Sequence, residues 1–219
     1  LDAGQITQLA LIYMPGDLPV LLSHANPTRD DHAAFLQALS VVLPRTFYSH
    51  VDVHAVAALA THYQAHHHGH YFKMGLSDSS AAIAAIDQRA TLLSAADIPA
   101  LERLYAAAYP GNWFDPRMLQ TGFYAGIREG AGIVATAGIH VVSTSEGVAA
   151  LGNVTTLPSH RGQGLGRSVC AHLVGQLQAA GIHHIGLNVS AHNAAAIALY
   201  TSLGFTRVAE YHEYTFRQV

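Results

Sequence analysis

The C-terminal two thirds of the chain alternates between strand-like and helix-like hydrophobic patterns. Residues 148–157 and 182–189 are short apolar runs of the kind that form buried strands. Between them, apolar residues recur from Leu165 to Leu177 at the spacing of one helix face, which predicts a helix over Leu165–Ala179 that covers a sheet. A strand, a helix and a strand in succession predict a right-handed crossover between parallel strands.

Further elements extend this pattern to a domain over residues 88–219. Ser94, Asp97 and Pro99 are placed as at a helix N-terminus, and Asp115-Pro116 opens a second short helix. The remaining predicted strands are residues 89–93, 122–128 and 132–143, and a last strand pair over 205–209 and 211–217. The predicted fold class is α/β, with a mixed sheet.

Residues 1–80 predict a second, smaller α/β unit. Its predicted strands are residues 9–14, 20–23, 47–51 and 71–76, and its predicted helices are residues 31–43 and 53–63. We therefore expect two domains, at residues 1–80 and 88–219, joined by a linker near residues 77–87.

A histidine-rich segment, His66-His67-His68-Gly69-His70, falls between the last helix and the last strand of the smaller unit. Clustered histidines can bind zinc or nickel. Adjacent side chains point in different directions, however, and no cysteine or carboxylate set stands at structural-zinc spacing. We therefore interpret the segment as a solvated loop and expect no metal.

Composition narrows the classes of function. The chain has 219 residues, of which 50% are hydrophobic and 11% charged, and its net charge is −3 with the histidines neutral. Without a basic patch, nucleic acid is not expected as a partner. No apolar run reaches the ~18 residues of a membrane span, and the start lacks a secretory signal pattern. A single cysteine, Cys170, fits a reducing compartment, so a cytoplasmic protein is expected.

The most informative stretch is Arg161-Gly162-Gln163-Gly164-Leu165-Gly166, which joins a predicted strand to a predicted helix. Its glycines free backbone N–H groups to point at one spot, where the helix N-terminus adds about half a positive charge. Such a corner suits phosphate or pyrophosphate. The run lacks the lysine of the Walker loop, which binds nucleoside triphosphates, and its glycine spacing differs from the G-x-G-x-x-G fingerprint of dinucleotide-binding proteins. Nucleoside triphosphatase activity and NAD binding are therefore disfavoured.

A second motif follows downstream. Asn193 is placed to cap an alanine-rich helix, which carries Tyr200 and ends before Gly204-Phe205. With the loop at 161–166, which fits R/Q-x-x-G-x-G/A, this segment resembles the GNAT superfamily of acyl-CoA-dependent N-acyltransferases. The resemblance implies the GNAT fold and acetyl-CoA as the cosubstrate.

The resemblance also implies how acetyl-CoA would bind. In the family, the glycine loop holds the pyrophosphate of coenzyme A, and the fourth strand separates from the fifth so that pantetheine pairs with its edge. The pyrophosphate-binding residues would be Arg161, Gly162, Gln163, Gly164, Leu165, Gly166 and Arg167. The strand residues would be Val154, Thr155 and Thr156, and Asn193 would contact the cofactor arm.

The catalytic residues implied by the resemblance are Tyr200 and Asn153. Tyr200 would protonate the departing thiolate, and the N–H of Val154 or a neighbour would stabilise the oxyanion. Many relatives have a glutamate base where this chain has Asn153, which we expect to contact the acceptor or a water. The base stays open among His140, Glu146, His212 and Glu213. Direct transfer needs no protein nucleophile, so Cys170 is interpreted as a packed core thiol.

The function implied is transfer of an acetyl group from acetyl-CoA to an amine of a small molecule or amino acid. One alternative is acetylation of a protein or peptide N-terminus, and another is a non-catalytic acyl-CoA-binding sensor. The segments at 114–116 and 152–155, with the small unit at 1–80, resemble glycine-N-acyltransferase-like members that carry a degenerate N-terminal half. A monomer or a homodimer is expected.

Overall fold

The computed structural model describes residues 8–14, 16–25 and 32–219. Contacts divide the chain into two compact units. The first unit takes the described residues of Leu1–Phe72 with Ser190–His192 and Ala209–Val219, and the second takes Lys73–Val189 and Asn193–Val208. None of the helices in the described residues is long and apolar enough to cross a membrane.

Strands and helices are numbered in chain order. The strands are β1 (Gln8–Tyr13), β2 (Val20–Ala25), β3 (Thr46–Val51), β4 (Tyr63–Leu76), β5 (Ala90–Leu92), β6 (Ala125–Glu129), β7 (Gly132–Ser143), β8 (Val148–Thr156), β9 (His184–Ser190) and β10 (Phe205–Gln218). The α-helices are α1 (His32–Leu39), α2 (Ala55–Leu59), α3 (Ser80–Ala84), α4 (Ile98–Ala108), α5 (Leu165–Ala179) and α6 (Ala194–Ser202). Short 3-10 helices lie at Ala95–Asp97, Pro116–Thr121 and Pro158–His160.

The second unit contains a mixed sheet in the order β4-β9-β8-β7-β6-β5. Strands β5 to β8 are antiparallel neighbours, whereas β8 and β9 are parallel and are joined through α5. This is the predicted crossover, so the α/β class is confirmed. The predicted apolar face of α5 is buried, as expected for a helix that covers a sheet: Leu165, Val169, Leu173 and Leu177 are each at most 4% exposed.

The 3-10 helix Ala95–Asp97 leads into α4 where the sequence predicts a helix N-terminus. The backbone N–H of Ser94 donates to Asp97 Oδ2 at 2.8 Å, which forms a capping box on the 3-10 helix. Arg128 on β6 donates to the same carboxylate at 2.8 Å and so links the cap to the sheet. On its inner side α4 packs into a core cluster that includes Leu101 and Tyr105.

The first unit contains strands in the order β1-β2-β3-β10-β4. Pairing is antiparallel between β1 and β2 and between β3 and β10, and it is parallel between β2 and β3. One face of this sheet forms a core with α1 and α2, in which Phe47 stacks on Phe216 at 5.2 Å and meets Tyr63 edge-on at 5.3 Å.

The histidine-rich segment His66–His70 lies within β4, so the prediction of a solvated loop is wrong. His68 Nε2 lies 2.7 Å from Thr215 Oγ1, and His67 Nε2 lies 3.1 Å from His212 Nδ1, with both partners on β10. Cross-strand contacts of this kind stabilise a polar strand that no local hydrophobic pattern indicates. In the described residues, no group of three or more His, Cys, Asp or Glu side chains is arranged to hold a metal.

The predicted last strand pair over residues 205–209 and 211–217 is a single strand, β10. The gap between the two predicted strands falls at Glu210. Its carboxylate instead accepts from His70 Nε2 on β4 at 3.1 Å, so the charge is accommodated at the side of a continuous strand.

Two predicted helices are shorter than expected. The helix predicted over 31–43 ends early because Ser40 Oγ donates to the carbonyl of Gln37 at 2.6 Å and competes with the helix; residue 31 lies outside the described residues. The helix predicted over 53–63 begins late, since Asp52 Oδ1 accepts the backbone N–H groups two and three residues further on. The last predicted residue of that helix is the first of β4.

Candidate functional site

The pairing of β8 with β9 stops before either strand ends. The last pair joins Leu151 to Leu187, whereas β8 continues to Thr156 and β9 to Ser190. Within the described residues, the later part of β8 therefore has no β9 partner on this edge. Unpaired backbone N–H and C=O groups on an extended strand can bind an extended ligand.

Two β-bulges flank the start of this separation. On β8, Asn153 and Val154 together lie opposite the single residue Ala137 of β7, and on β7, His140 is the extra residue of a second bulge. Asn153 has φ +53°, the one positive φ found for a non-glycine residue in the described part of the chain. Asparagine tolerates this region better than most residues. Bulges bend a strand and re-aim side chains, often beside active sites.

Asn153 is buried, and the surrounding protein holds its amide in place. Its Nδ2 donates to the hydroxyl of Tyr124 at 2.9 Å and to the carbonyl of Trp113 at 3.2 Å. Its backbone carbonyl accepts from the hydroxyl of Tyr105 at 3.0 Å. The structure therefore fixes the bulge and the direction of this side chain together.

His140 lies directly over the neighbouring backbone. A Cβ on Gly152 would come within 2.4 Å of His140 Nε2, so the imidazole occupies space that only glycine leaves. The imidazole ring lies 5.7 Å from the indole ring of Trp113 and remains exposed at one side. Removal of water by the surrounding protein lowers the pKa of His140, against the opposing effect of the Asn153 amide.

The other candidates for a base lie on other elements. Glu146 lies in the exposed turn between β7 and β8. His212 and Glu213 belong to the first unit. Among the four residues considered from the sequence, His140 is the one that contacts Asn153.

The glycine loop has the geometry that its sequence predicts. Gly162 and Gly164 have φ +77° and +76°, and a Cβ on either would meet nothing within 4 Å. Gly164 is the N-cap of α5, where no side chain of the described residues caps the helix. The first-turn N–H groups of α5 therefore remain available to an anion. Gly166 serves packing as well, because a Cβ there would lie 3.1 Å from Leu199.

The polar side chains around the loop bind neighbouring elements. Arg161 Nε donates to the carbonyl of Thr156 at 3.2 Å, and Arg167 Nε donates to Ser202 Oγ at 3.2 Å. Asn193 Oδ1 accepts the backbone N–H of Ala196 at 3.1 Å, which confirms the predicted N-cap of α6.

The remaining residues predicted to bind the cofactor differ in exposure. Val154 and Thr156 are half-buried and flank the buried Thr155 on the later part of β8. In the loop, Gln163 is exposed, and Leu165 is buried against the sheet. The loop and the unpaired part of β8 are joined directly, since the turn from Thr156 to Arg161 is short.

Tyr200 is buried on α6, with its ring 6.0 Å from that of Phe205. Burial, followed by the proximity of Cys170 and Tyr109, raises the pKa of Tyr200, so its hydroxyl keeps its proton at neutral pH. Within the described part of the chain this hydroxyl donates no hydrogen bond. Cys170 is fully buried, and burial raises the pKa of its thiol to about 12, which fits the predicted core thiol.

A cavity of about 290 Å³ lies between the end of α4 and the loop before Pro116. Aromatic rings and one carboxylate, that of Glu102, line it, and Asn112 Nδ2 beside it has no hydrogen-bond partner among the described residues. The sequence did not predict this cavity, because its walls come from a helix end and an irregular loop. Its lining includes Glu102, Tyr105, Tyr109, Asn112 and Phe114.

Comparison with known proteins assigns the family. Residues 91–205 match the model of the acetyltransferase (GNAT) family. The chain belongs to this family. The match runs from β5 to the first residue of β10 and so includes the glycine loop, both bulges and α6. The family and fold expected from the two motifs are confirmed.

Relatives and solved structures add detail. The chain is 49% identical to the ribosomal protein bS18-alanine N-acetyltransferase of Escherichia coli strain K12 over 57 residues, 26% of this chain and 38% of the relative. It is 37% identical to the mycothiol acetyltransferase of Kocuria rhizophila over 102 residues, 44% of this chain and 32% of the relative. The chain thus spans well under half the length of these relatives.

A solved acetyltransferase of the GNAT family from Colwellia psychrerythraea has a TM-score of 0.63 with 14% identity, covering 98% of this chain and 82% of that one. At this identity the likeness shows that the fold is shared.

Proposed function

We propose that this GNAT protein is an N-acetyltransferase that transfers the acetyl group of acetyl-CoA to an amine of a small molecule or amino acid. The separation of β8 from β9 after Leu151 carries this proposal, because it leaves a strand edge beside an uncapped helix N-terminus. A pantetheine arm can pair with the strand edge, and a pyrophosphate suits the helix N-terminus. Few ligands other than coenzyme A combine both parts.

The residues that would hold acetyl-CoA follow from this geometry. The backbone of the loop and of the first turn of α5 would bind the pyrophosphate, and the unpaired edge of β8 would pair with pantetheine. Asn193, at the start of α6, would contact the cofactor arm. The pyrophosphate-binding residues are Arg161, Gly162, Gln163, Gly164, Leu165, Gly166 and Arg167, and the strand residues are Val154, Thr155 and Thr156.

The chemistry proposed is direct transfer. The amine nitrogen attacks the thioester carbonyl, and the N–H of Val154 stabilises the oxyanion that develops. The buried hydroxyl of Tyr200 protonates the departing sulfur, for which its protonated state at neutral pH is suitable. Asn153 acts at the acceptor side through the bulge that it forms.

The acceptor proposed is small and cationic in water. The cavity of about 290 Å³ is near the lower end of small-molecule sites and has aromatic walls with the carboxylate of Glu102. The aromatic walls and the carboxylate favour a cationic amine, and a peptide N-terminus stays the alternative, since one relative is named for acetylating a ribosomal protein. We propose for residues 1–80 the role of a degenerate N-terminal half of the glycine-N-acyltransferase-like kind, in a monomer or homodimer.

Free-thiol release from acetyl-CoA, measured with a panel of small amines, amino acids and peptides with free N-termini, tests the function. We expect turnover with a small amine, and a loss of roughly 10²- to 10⁴-fold in kcat for Tyr200→Phe. Tyr63→Phe removes the hydroxyl of another buried tyrosine, in the first unit, and should leave kcat unchanged. Turnover with peptides alone would favour N-terminal acetylation, and acetyl-CoA binding without turnover on any amine would indicate a sensor.

A further inference from the structure

The two bulges of β7 and β8 aim side chains at one another. His140 is the unpaired residue of the β7 bulge, and Asn153 belongs to the β8 bulge. Two pairs of the ladder, Gly138 with Gly152 and Ile139 with Leu151, lie between the bulges. Two bulges so near each other interrupt the hydrogen bonding of a central sheet, and sheets keep such interruptions where a side chain must be re-aimed.

Glycine at position 152 makes room for the imidazole. A Cβ there would lie 2.4 Å from Nε2 and Cδ2 of His140 and 2.5 Å from Cε1, distances at which the ring would have to move. The ring therefore covers the first residue of β8 that no longer pairs with β9. Trp113 packs edge-on against another side of the imidazole and limits its rotation.

Asn153 acts on this imidazole. The Nδ2 group of Asn153 is held by Tyr124 and Trp113, and its amide side chain raises the pKa of His140. An imidazole that has a fixed amide for a neighbour, is packed against Trp113 and is exposed at one side has the arrangement of an oriented base. The side chain of Asn153 is itself buried, so it acts on the reaction through His140.

The electrostatic surroundings favour the neutral imidazole. The elements around it carry the phenols of Tyr105 and Tyr124, whose pKa values burial raises, the pair of Asp115 with Arg117, and Glu102 and Arg103 on α4. Loss of water lowers the pKa of His140, and none of these charges contributes to that shift. The ring is therefore ready to accept a proton at neutral pH.

We propose that His140 is the proton acceptor of the acetyl transfer and that Asn153 is its positioning residue. This inference rests on the proposed acetyltransferase function. The amine nitrogen bonds to the carbonyl carbon, the C–S bond breaks, and its electron pair leaves on sulfur. One proton moves from nitrogen to the imidazole, and one moves from the Tyr200 hydroxyl to sulfur. The imidazolium then returns its proton to the Tyr200 oxygen through water, so both groups are restored.

The first test measures kcat/KM against pH from 5 to 9, with the best acceptor amine and with acetyl-CoA saturating. We expect His140→Ala to lower kcat/KM by roughly 10²- to 10⁴-fold. It should also remove one of the two ionisations in the acidic limb, that of the imidazole, whose ordinary pKa is about 6.5, and leave the ionisation of the amine. Added imidazole should restore part of the rate of His140→Ala, because the ring is exposed at one side. A merely structural histidine would give no such rescue.

The second test moves the ring without removing it. Gly152→Ala should displace the imidazole and reduce kcat/KM by at least tenfold, with little change in acetyl-CoA affinity. Gly132→Ala is the matched control on β7, since its nearest contact would be an ordinary 3.5 Å and its φ is not positive. Asn153→Ala should retain the imidazole but lower the apparent pKa that it contributes to the acidic limb, since the amide that raises the pKa of His140 is lost.

The outcomes separate this inference from the function itself. If the wild type turns over and His140→Ala changes neither the rate nor the acidic limb, the role of His140 is overturned and the acetyltransferase function is not. A reduced rate that imidazole fails to restore, together with reduced thermal stability, would likewise overturn it in favour of a structural role. Absence of wild-type turnover across the amine panel would refute the proposed function.

Discussion

Replacing Gly164 by alanine tests whether the N-terminus of α5 binds the pyrophosphate. Gly164 precedes this helix with φ +76°, and Gly181 follows its other end with φ +80°. A Cβ at either position would meet no atom within 4 Å. Both substitutions therefore place an L-residue in the left-handed region at a similar cost of about 1–2 kcal/mol. They differ in which end of α5 they alter.

The expected magnitudes differ accordingly. A loss of 1 kcal/mol in unfolding free energy lowers the Tm of a chain this long by about 2–4 °C, so both variants should melt a few degrees early. At Gly164, the N-cap, a Cβ would also enter open space at the end of α5 whose first-turn N–H groups no side chain caps. Losing one hydrogen bond to a charged phosphate costs about 1.5–3 kcal/mol, which weakens acetyl-CoA binding by roughly 10- to 100-fold.

The assay is calorimetric titration of acetyl-CoA into the wild type, Gly164→Ala and Gly181→Ala, with a thermal melt of each protein without ligand. We expect similar melting losses in the two variants and weakened binding in Gly164→Ala. Unaltered affinity in Gly164→Ala would refute the assignment of the anion site. Equal loss of affinity in Gly181→Ala would show that the effect comes from the stability of α5.

Two further predictions concern stability. Gly204 has φ +93°, and Gly204→Ala would place a Cβ 1.8 Å from the carbonyl oxygen of Asp78, so urea unfolding should show a loss of roughly 2–5 kcal/mol. The control is Gly122→Ala, at φ +77° with open space around the Cβ, which should lose about 1–2 kcal/mol. Equal losses in the two variants would contradict the close approach at Gly204. Hydrogen bonds from the Arg89 side chain, and then from its backbone N–H, lower the pKa of Asp87 to about 2. The Asp87 carboxylate therefore stabilises the fold above pH ~4, the pKa of an aspartate in the unfolded chain, and this contribution is lost as the pH falls towards 2. Arg89→Gln should flatten the dependence of unfolding free energy on pH in that window, and an unchanged slope would be inconsistent with the pairing.

Local patterns predicted the elements whose causes are local. The spacing of apolar residues in α5, the cap at Asn193 and the glycines of the loop each act within one turn of chain, so their geometry could be inferred before any tertiary contact was known. The crossover of parallel strands followed from the order of the elements alone. These features indicated the family and one end of the proposed cofactor site.

The predictions of other elements were wrong because contacts with residues distant in sequence determine those elements. The polar segment His66–His70 is extended because β10 pairs beside it, and Glu210 lies within one continuous strand because His70 hydrogen-bonds its carboxylate. A single-chain pattern holds no information on which polar side chains will meet across a ladder. The local sequence pattern of those residues is that of a loop or a turn, and only the pairing of the strands brings their side chains together.

The amino-acid sequence by itself determined the kind of protein, since the two motifs and the order of elements need only short-range spacing. The tertiary structure alone decided where β8 leaves β9, which residues bulge, and that His140 rather than Glu146 lies against Asn153. The physical reason is register: one extra residue in either strand changes which side chains share a face, and only the paired ladder fixes that count.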